Sequence, residues 1–323
     1  MRRALAIALV GLAGLTTAPG AAAQNYPTRP VRIIVPGPAG GGIDIIARKV
    51  VQHLTAARRG QYYIENHPGA GGSIGAGMAA NSAADGYTLL FTNQDFVIHP
   101  LIKANVPYDP IRSFTPVTLV ATAPETIAVT PSLPVHTVQE LVGLLKANPG
   151  KFNYATPGYG TSPHLASERL FRLTCNTDVV HIPFQGAPPA VMATIVGETQ
   201  IIHITLPLIA PNIRDGKLRA LAVAASKRSA EFPDLPTLAE AGIPGHEVGF
   251  WVGVMAPAGT PEPIVEWLQS QIREVMLQTD ARVGLDKLGF ETIASTPREM
   301  RDHIRTEYEV WSKVVHASNI QVK

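Results

Sequence analysis

The chain has 323 residues, of which 46% are hydrophobic and 16% are charged, and its formal net charge is +2 at pH 7. This length and composition predict a packed globular protein with two domains of roughly 100–200 residues each. The sequence has no basic block or stripe, which argues against nucleic acid as a partner. Cys175 is the only cysteine, so an intrachain disulfide is excluded.

The N-terminus has the pattern of a secretory signal peptide. Arg2 and Arg3 precede an apolar stretch that ends at Leu15 and is too short to span a bilayer, and a small-residue cleavage site ends at Ala23. We expect residues 1–23 to be removed. The mature chain would then hold 25 basic and 25 acidic residues, so local groups, and not long-range charge, would have to attract an anion.

The mature chain starts with a strand, a glycine-rich loop and a helix. The strand Val31–Val35 is rich in β-branched residues, the loop holds four glycines and two prolines, and an apolar pattern of helical period begins near Gly42. The first N–H groups of such a helix lack intrahelical partners and carry partial positive charge, so we predict contact with an anionic ligand. Asp44 either stabilises the helix through its dipole or accepts a hydrogen bond from a ligand, a water or the glycine loop.

Strands and helices alternate along the rest of the chain. Two further glycine-rich loops, Pro68–Gly77 and Pro157–Thr161, connect predicted strands to predicted helices. Ser162 and Pro163 are expected to begin the helix after the second of these loops. The alternation predicts the α/β class with mostly parallel sheets, and such folds bind ligands beyond the carboxyl ends of their strands.

One segment between these loops has no regular pattern. Asp95–Pro116 contains the turn sequence PYDP and is predicted to be irregular. Two separate strands are predicted after it, one at Val117–Val120 and one that begins at Thr126.

Motifs for cofactors, metals and catalysis are absent from the sequence. The glycine-rich loops do not match the dinucleotide or phosphate-loop fingerprints, no G-x-S-x-G elbow is found, and the ten histidines lack zinc-site spacing. We therefore predict no cofactor, no metal and no catalytic residue. His164 and His181 lie beside loops, where they either line a cleft or make structural hydrogen bonds.

Stretches spread over nearly the whole mature chain resemble one family. The chain is similar to the Bug-type solute-binding proteins, the extracytoplasmic receptors of tripartite tricarboxylate transport systems. The matching stretches are YPTRPVRIIVP with GGGIDIIAR, IENHPGAGGSIGA, DGYTLLFT, PYDPIRSFTPV, LKANPGKFNYATPGYGTSPHLASE, HIPFQGAPPA, GKLRALAV, PDLPTLAEAGIPG and VGVMAPAGTP.

The resemblance implies a two-domain α/β periplasmic-binding-protein fold, type II-like, with a ligand cleft between the domains. Residues 24–122 and 227–323 would form the first domain and residues 123–226 the second, with crossovers near Ala121–Ile127 and Val223–Ser226. The resemblance also implies a periplasmic receptor, not an enzyme, that closes on a small organic carboxylate and delivers it to membrane transporter subunits. We expect a monomer.

The resemblance further implies which residues contact the ligand. Backbone amides of two loops from opposite domains would hold a carboxylate, partly through ordered waters. The first loop contributes Gly40, Gly41 and Asp44, the second contributes Gly158, Gly160, Thr161, Ser162 and His164, and Phe184 and Thr205 complete the predicted set.

Several positions depart from the family pattern and bear on the identity of the ligand. Residues that are usually aromatic, hydroxylated or charged are replaced here by Gly37, Phe184, Gln185, Ala193 and, at the end of one strand, Ile204 with Thr205. These changes predict a roomier and less polar distal pocket. An aromatic or extended acid is therefore favoured over a compact dicarboxylate.

Two other functions stay open from the sequence. One is a secreted α/β hydrolase-like enzyme with its site between two domains, although no catalytic motif supports it. The other is a binding protein that feeds a sensory system and not a transporter.

Overall fold

The computed structural model describes residues 26–318, with side chains through residue 316, so the predicted signal peptide lies outside the described residues. The strands are β1 (Val31–Val35), β2 (Tyr62–Asn66), β3 (Thr88–Thr92), β4 (Phe114–Val129), β5 (Asn153–Thr156), β6 (Val180–Pro183), β7 (Ile201–Thr205), β8 (Arg219–Ala224), β9 (Gly249–Pro257) and β10 (Glu291–Thr292). The helices are α1 (Gly42–Ala56), α2 (Ser73–Ala80), α3 (Asp95–Ile102), α4 (Val138–Ala147), α5 (Ser162–Ser167), α6 (Ala187–Ile195), α7 (Leu206–Arg214), α8 (Glu262–Met276), α9 (Thr279–Asp286) and α10 (Pro297–Ser318). A 3₁₀ turn at Ala70–Gly72 precedes α2, and a π-helical stretch, Glu168–Thr174, continues α5.

Two sheets share β4, and each forms the centre of one lobe. In the first lobe the strand order is β2-β1-β3-β9-β4, with β10 beside β4. In the second lobe β4 lies between β8 and β7, which is followed by β5 and β6. The strands β1 to β3 are parallel, as are β5 to β7, whereas β4, β8 and β9 run antiparallel to their neighbours. The sheets contain fewer parallel strand pairs than the sequence predicts, because the strands that connect the lobes run antiparallel to their neighbours.

Strand β4 carries the chain from one lobe to the other. Its residues 114–124 pair with β9, and its residues 125–129 pair with β7 and β8. The sequence predicts two strands here, but the structure has one continuous strand through Pro124. Glu125 therefore lies at the point where the chain leaves the first sheet and enters the second.

Each sheet is covered on both faces. In the first lobe Ile33 packs in the cluster that contains α1 and α8, whereas Ile34 packs in the cluster that contains α2, α3 and α10. Along α1 the buried residues Ile46, Val50 and Leu54 recur at helical spacing and face the sheet. Burial on both faces explains why β1 is apolar at almost every position.

The chain returns to the first lobe later than the sequence predicts. Leu238 and Ala241 are buried in the second-lobe cluster that contains Ile127, and Val223 forms a parallel bridge to Thr237. The proline-rich segment 227–248 therefore covers the second lobe, because its apolar residues pack beside β8. This packing moves the proposed second boundary from residue 226 to residue 248, between β8 and β9.

The segment predicted to be irregular contains α3, although Pro100 lies inside that helix. Proline has no N–H group, so the carbonyl of Phe96 loses its usual helical partner. The Tyr108 hydroxyl donates to this carbonyl at 3.0 Å instead. The carbonyl that Pro100 leaves without a helical partner is therefore hydrogen-bonded by a side chain outside the helix. A local sequence pattern does not reveal this contact.

The C-terminal helix joins the two lobes. Trp311 and Val315 of α10 are buried with Ile98 and Ile102 of α3 and with Leu165 of α5. These residues make an apolar contact between the lobes beside β4. Among the described helices, none combines the length and apolar character needed to cross a membrane.

Candidate ligand-binding site between the lobes

A cavity of about 380 Å³ lies between the two lobes. The first lobe lines it with the loop after β1, the first turn of α1, the 3₁₀ turn before α2 and the residues that follow β3. The second lobe lines it with the loops after β5 and β6 and with the end of β7. These are carboxyl ends of parallel strands, the position predicted for a ligand. The volume suits a small molecule.

Asp44 holds the first glycine-rich loop in place. Its side chain is 2% exposed and accepts hydrogen bonds from the Gly40 N–H at 2.9 Å, Arg48 Nε at 2.8 Å and the Asn66 amide at 3.0 Å. Burial alone would raise the pKa of Asp44, but these hydrogen bonds and the Arg48 charge outweigh burial and hold the pKa below its usual value. The carboxylate is therefore ionised, paired and engaged in fixing the loop.

The first turn of α1 offers N–H groups to the cavity. Gly41 donates to the Pro38 carbonyl at 3.2 Å, and Gly40 donates to Asp44, so neither predicted amide is free. Gly42 and Ile43 line the cavity, and no described residue accepts a hydrogen bond from their N–H groups, as the start of a helix requires. The groups available to an anion on this side therefore include the N–H groups of Gly42 and Ile43.

The matching loop of the second lobe is held by hydrogen bonds within the protein. These bonds run from Gly160 N–H to His164 Nδ1 at 3.2 Å, from the Thr161 hydroxyl to the Gly158 carbonyl at 2.8 Å, and from Ser162 N–H to Asp95 Oδ1 at 2.8 Å. Asp95 belongs to the first lobe, so the last bond joins the lobes. Two amides predicted to hold a ligand, those of Gly160 and Ser162, are therefore occupied by the protein itself.

His164 and His181 stack on each other, with 4.0 Å between their ring centroids. His181 Nε2 lies 2.7 Å from the Thr156 hydroxyl. Burial lowers the pKa of His164 to about 4 and that of His181 to about 3, so both rings are neutral near pH 7. Neither is among the described residues that line the cavity, which favours the structural interpretation of both histidines.

Six of the ten predicted site residues line the cavity, namely Gly41, Asp44, Gly158, Thr161, Phe184 and Thr205. The other four, Gly40, Gly160, Ser162 and His164, make hydrogen bonds that hold the lining loops. Sequence reasoning missed the lining residues Thr92, Asp95, Glu125 and Phe250. They come from the ends of β3 and β9, from the middle of β4 and from the segment predicted to be irregular, where no motif marks them.

Glu125 and His203 form a buried pair at the crossing point of β4. Glu125 Oε2 lies 3.3 Å from His203 Nε2, and Glu125 Oε1 accepts from the Ser162 hydroxyl at 2.9 Å and from the Gln94 amide at 3.2 Å. Burial raises the pKa of Glu125 to about 8 and lowers that of His203 to about 3. The pair is therefore uncharged at neutral pH.

One wall of the cavity is apolar. Phe184, Ile204 and Leu208 of the second lobe and Ile43 and Phe250 of the first all line the cavity. The expectation of a less polar distal pocket stays a prediction. In the described part of the chain, no group of three or more His, Cys, Asp or Glu side chains is arranged to hold a metal.

The lobes touch at the rim of the cavity. A Cβ placed on Gly186 of the second lobe would lie 2.4 Å from Pro38 Cγ of the first, and φ at Gly186 is +106°. Only glycine permits both this backbone conformation and this approach. Glycine at 186 is therefore needed for this close approach of the two lobes.

Comparison with known proteins identifies the family. A family model described as "Tripartite tricarboxylate transporter family receptor" matches residues 46–320. The chain is 33% identical over 325 residues to the protein BugT of Bordetella pertussis, and the match covers 100% of this chain and 99% of BugT.

Solved structures give the same result. One is an R. palustris protein with adipate, which is 32% identical with a TM-score of 0.88, over 92% of this chain and 99% of that one. Another is MatC from Rhodopseudomonas palustris with bound malate, which is 30% identical with a TM-score of 0.83, over 90% of this chain and 100% of MatC. The predicted resemblance and the two-domain periplasmic-binding-protein fold are confirmed, and the hydrolase alternative is excluded. The chain belongs to the receptors of the tripartite tricarboxylate transporter family, the Bug-type proteins, which are periplasmic solute-binding proteins and not enzymes.

Proposed function

We propose that this protein captures a small organic carboxylate between its lobes and delivers it to a tripartite tricarboxylate-type membrane transporter. The observation that carries the proposal is the pair of free N–H groups of Gly42 and Ile43, which open onto a cavity of about 380 Å³. A carboxylate there would accept both N–H groups and lie at the positive end of the α1 dipole. The relatives solved with adipate and with malate support this ligand class.

The contact set follows from the lining residues. We propose that Gly41, Gly42, Ile43, Gly158, Thr161, Phe184 and Thr205 face the ligand, while Gly40, Asp44, Gly160, Ser162 and His164 hold the loops that do so. The Thr205 side chain is 3% exposed and has no hydrogen-bond partner among the described residues. Its hydroxyl is therefore available to a polar group of the ligand.

The apolar wall bears on the size of the acid. Phe184, Leu208 and Phe250 offer contact area that a compact dicarboxylate does not use. We therefore propose an aromatic or extended acid as the preferred ligand. We also propose that the mature chain begins after Ala23 in the periplasm and acts as a monomer.

A thermal-shift experiment on residues 24–323 tests the carboxylate site. The probes are benzoate, adipate and malate, each beside its neutral amide. A ligand at 100 times its Kd stabilises a protein by about 2.7 kcal/mol, so the melting temperature should rise with an acid and not with its amide. Equal shifts with acid and amide would contradict carboxylate recognition. The largest shift should come from benzoate, and a shift with malate alone would contradict the proposed ligand size.

Two glycines of the first loop supply matched variants for this experiment. A Cβ on Gly42 would lie 2.8 Å from the Phe250 ring beside the free N–H groups, whereas a Cβ on Gly37 would meet no atom within 4 Å. Gly42→Ala should reduce the shift produced by the best acid, and Gly37→Ala should retain it. Full binding by Gly42→Ala would place the carboxylate elsewhere in the cavity.

A further inference from the structure

Given the proposed carboxylate site, we infer that Asp95 is a specificity-determining residue that excludes ligands with a second anionic group. Its carboxylate accepts a hydrogen bond from the Ser162 N–H, so a second anionic group of a ligand cannot use that N–H. It also places a fixed negative charge on the cavity wall. The preferred ligand would then carry one carboxylate, at Gly42 and Ile43, and an uncharged or cationic group near Asp95.

The side chain of Asp95 is fixed from both lobes. Oδ1 accepts from the Ser162 N–H of the second lobe at 2.8 Å. Oδ2 accepts from the Asn93 side-chain amide at 3.2 Å, and the Asn93 side-chain oxygen accepts from the Asp95 N–H at 3.3 Å. Asp95 also lines the cavity. The carboxylate therefore holds one position on the wall and cannot swing away from an incoming ligand without breaking these bonds.

Among the described residues that line the cavity, Asp95 is the ionised carboxylate that makes no ion pair. Burial raises its pKa to about 6, against the bonds from Ser162 and Asn93, so the group is still mostly ionised at pH 7.5. The other titratable groups that line the cavity do not cancel this charge. Asp44 is paired with Arg48 of α1, Glu125 has a pKa of about 8, and His99 has a pKa of about 4 and is neutral.

Lys103 is the one lysine or arginine among the described lining residues. It follows the last residue of α3, whereas Asp95 is the first residue of that helix. Eight helical residues rise about 12 Å, so the two side chains start from opposite ends of α3. No ion pair between them is present in the described structure. A ligand group beside Asp95 therefore meets a negative charge without a described cationic partner, and like charges at close range repel.

Three acids of equal chain length test this inference at pH 7.5. Adipate, adipamate and 6-aminohexanoate share one carboxylate and differ in the far group, which is anionic, neutral or cationic. Calorimetric titration of the wild type should show adipamate binding at least tenfold tighter than adipate, with 6-aminohexanoate no weaker than adipamate. Asp95→Asn keeps the shape and an acceptor for the Ser162 N–H but removes the charge. The Asp95→Asn variant should bind adipamate less than threefold more tightly than adipate.

Asp302→Asn is the matched control, because it removes the same charge from an exposed position on α10 whose side chain is 62% exposed. It should leave the ratio of the adipate and adipamate Kd values unchanged. Adipate binding as tightly as adipamate to the wild type would overturn the inference, as would an unchanged ratio in Asp95→Asn. Asp95→Ser supplies a second variant if the first does not fold, and it should also relax the ratio. If neither these acids nor benzoate binds the wild type, the proposed carboxylate site itself is wrong, whereas binding of benzoate without any of the three would overturn the inference alone.

Discussion

Substitution of Gly186 by alanine should prevent the lobes from closing on a ligand. A Cβ at this position would lie 2.4 Å from Pro38 Cγ of the opposite lobe. Carbon atoms pack at about 3.5–4.0 Å. The lobes would therefore have to part by about 1 Å at the rim of the cavity.

A gap of this size is enough to weaken binding measurably. A hydrogen bond of about 2.9 Å that is stretched to about 3.9 Å is lost. A ligand held from both lobes would then lose its hydrogen bonds to one of them. A hydrogen bond that involves a charged group contributes about 1.5–3 kcal/mol, so Kd should rise roughly 10- to 100-fold.

The same substitution also strains the backbone, and this second effect needs its own control. With φ at +106°, alanine at 186 costs about 1–3 kcal/mol whether the lobes are open or closed. Gly197 has φ of +83°, and a Cβ placed on it would meet no atom within 4 Å. Gly197→Ala should therefore lower the melting temperature while leaving Kd unchanged, whereas Gly186→Ala should change both.

The assay is a calorimetric titration of each variant with the acid that stabilises the wild type most. Binding by Gly186→Ala within threefold of the wild type would show that the contact with Pro38 is not part of the ligand-bound arrangement. Equal weakening by Gly197→Ala would show that backbone strain, and not the clash between lobes, is the cause.

Three further substitutions test the buried polar groups. Because burial raises the pKa of Glu125 to about 8, its contribution to stability is present at low pH and lost as pH rises toward 8. In guanidinium unfolding, the wild type should lose about 1.4 kcal/mol relative to Glu125→Gln between pH 6 and pH 7, and parallel pH curves would contradict a raised pKa. Asp44→Ala should weaken acid binding although it removes a negative charge, because the glycine loop loses its support; tighter binding in titration would refute that role. Tyr108→Phe should cost about 1–3 kcal/mol by leaving the Phe96 carbonyl unsatisfied, and addition of Pro100→Ala should restore part of this in denaturant unfolding by returning the missing N–H.

Local patterns predict the elements whose cause is local. The strand Val31–Val35 is found as predicted, and α1 begins at Gly42, because β-branched residues, a glycine loop and an apolar period of 3.6 all act over a few residues. Local patterns miss helix α3 because its proline is compensated by Tyr108, which lies outside the helix. They also miss the late return of the chain to the first lobe, because Leu238 is buried in the second lobe beside β8. This contact depends on tertiary packing.

The difference between local causes and tertiary packing also explains which features of the site the sequence predicts. The two glycine-rich loops that the sequence predicts on opposite sides of a cleft both line the cavity, since strand ends and helix starts are local features. Whether an amide in those loops is free depends on distant residues. The local sequence leaves the Ser162 N–H available, but Asp95, 67 residues earlier in the chain, accepts its hydrogen bond. An acidic residue in a segment without a pattern thus removes one predicted ligand contact and adds a charge to the wall. The choice between acids with one and with two carboxylates therefore depends on a residue that no motif marks.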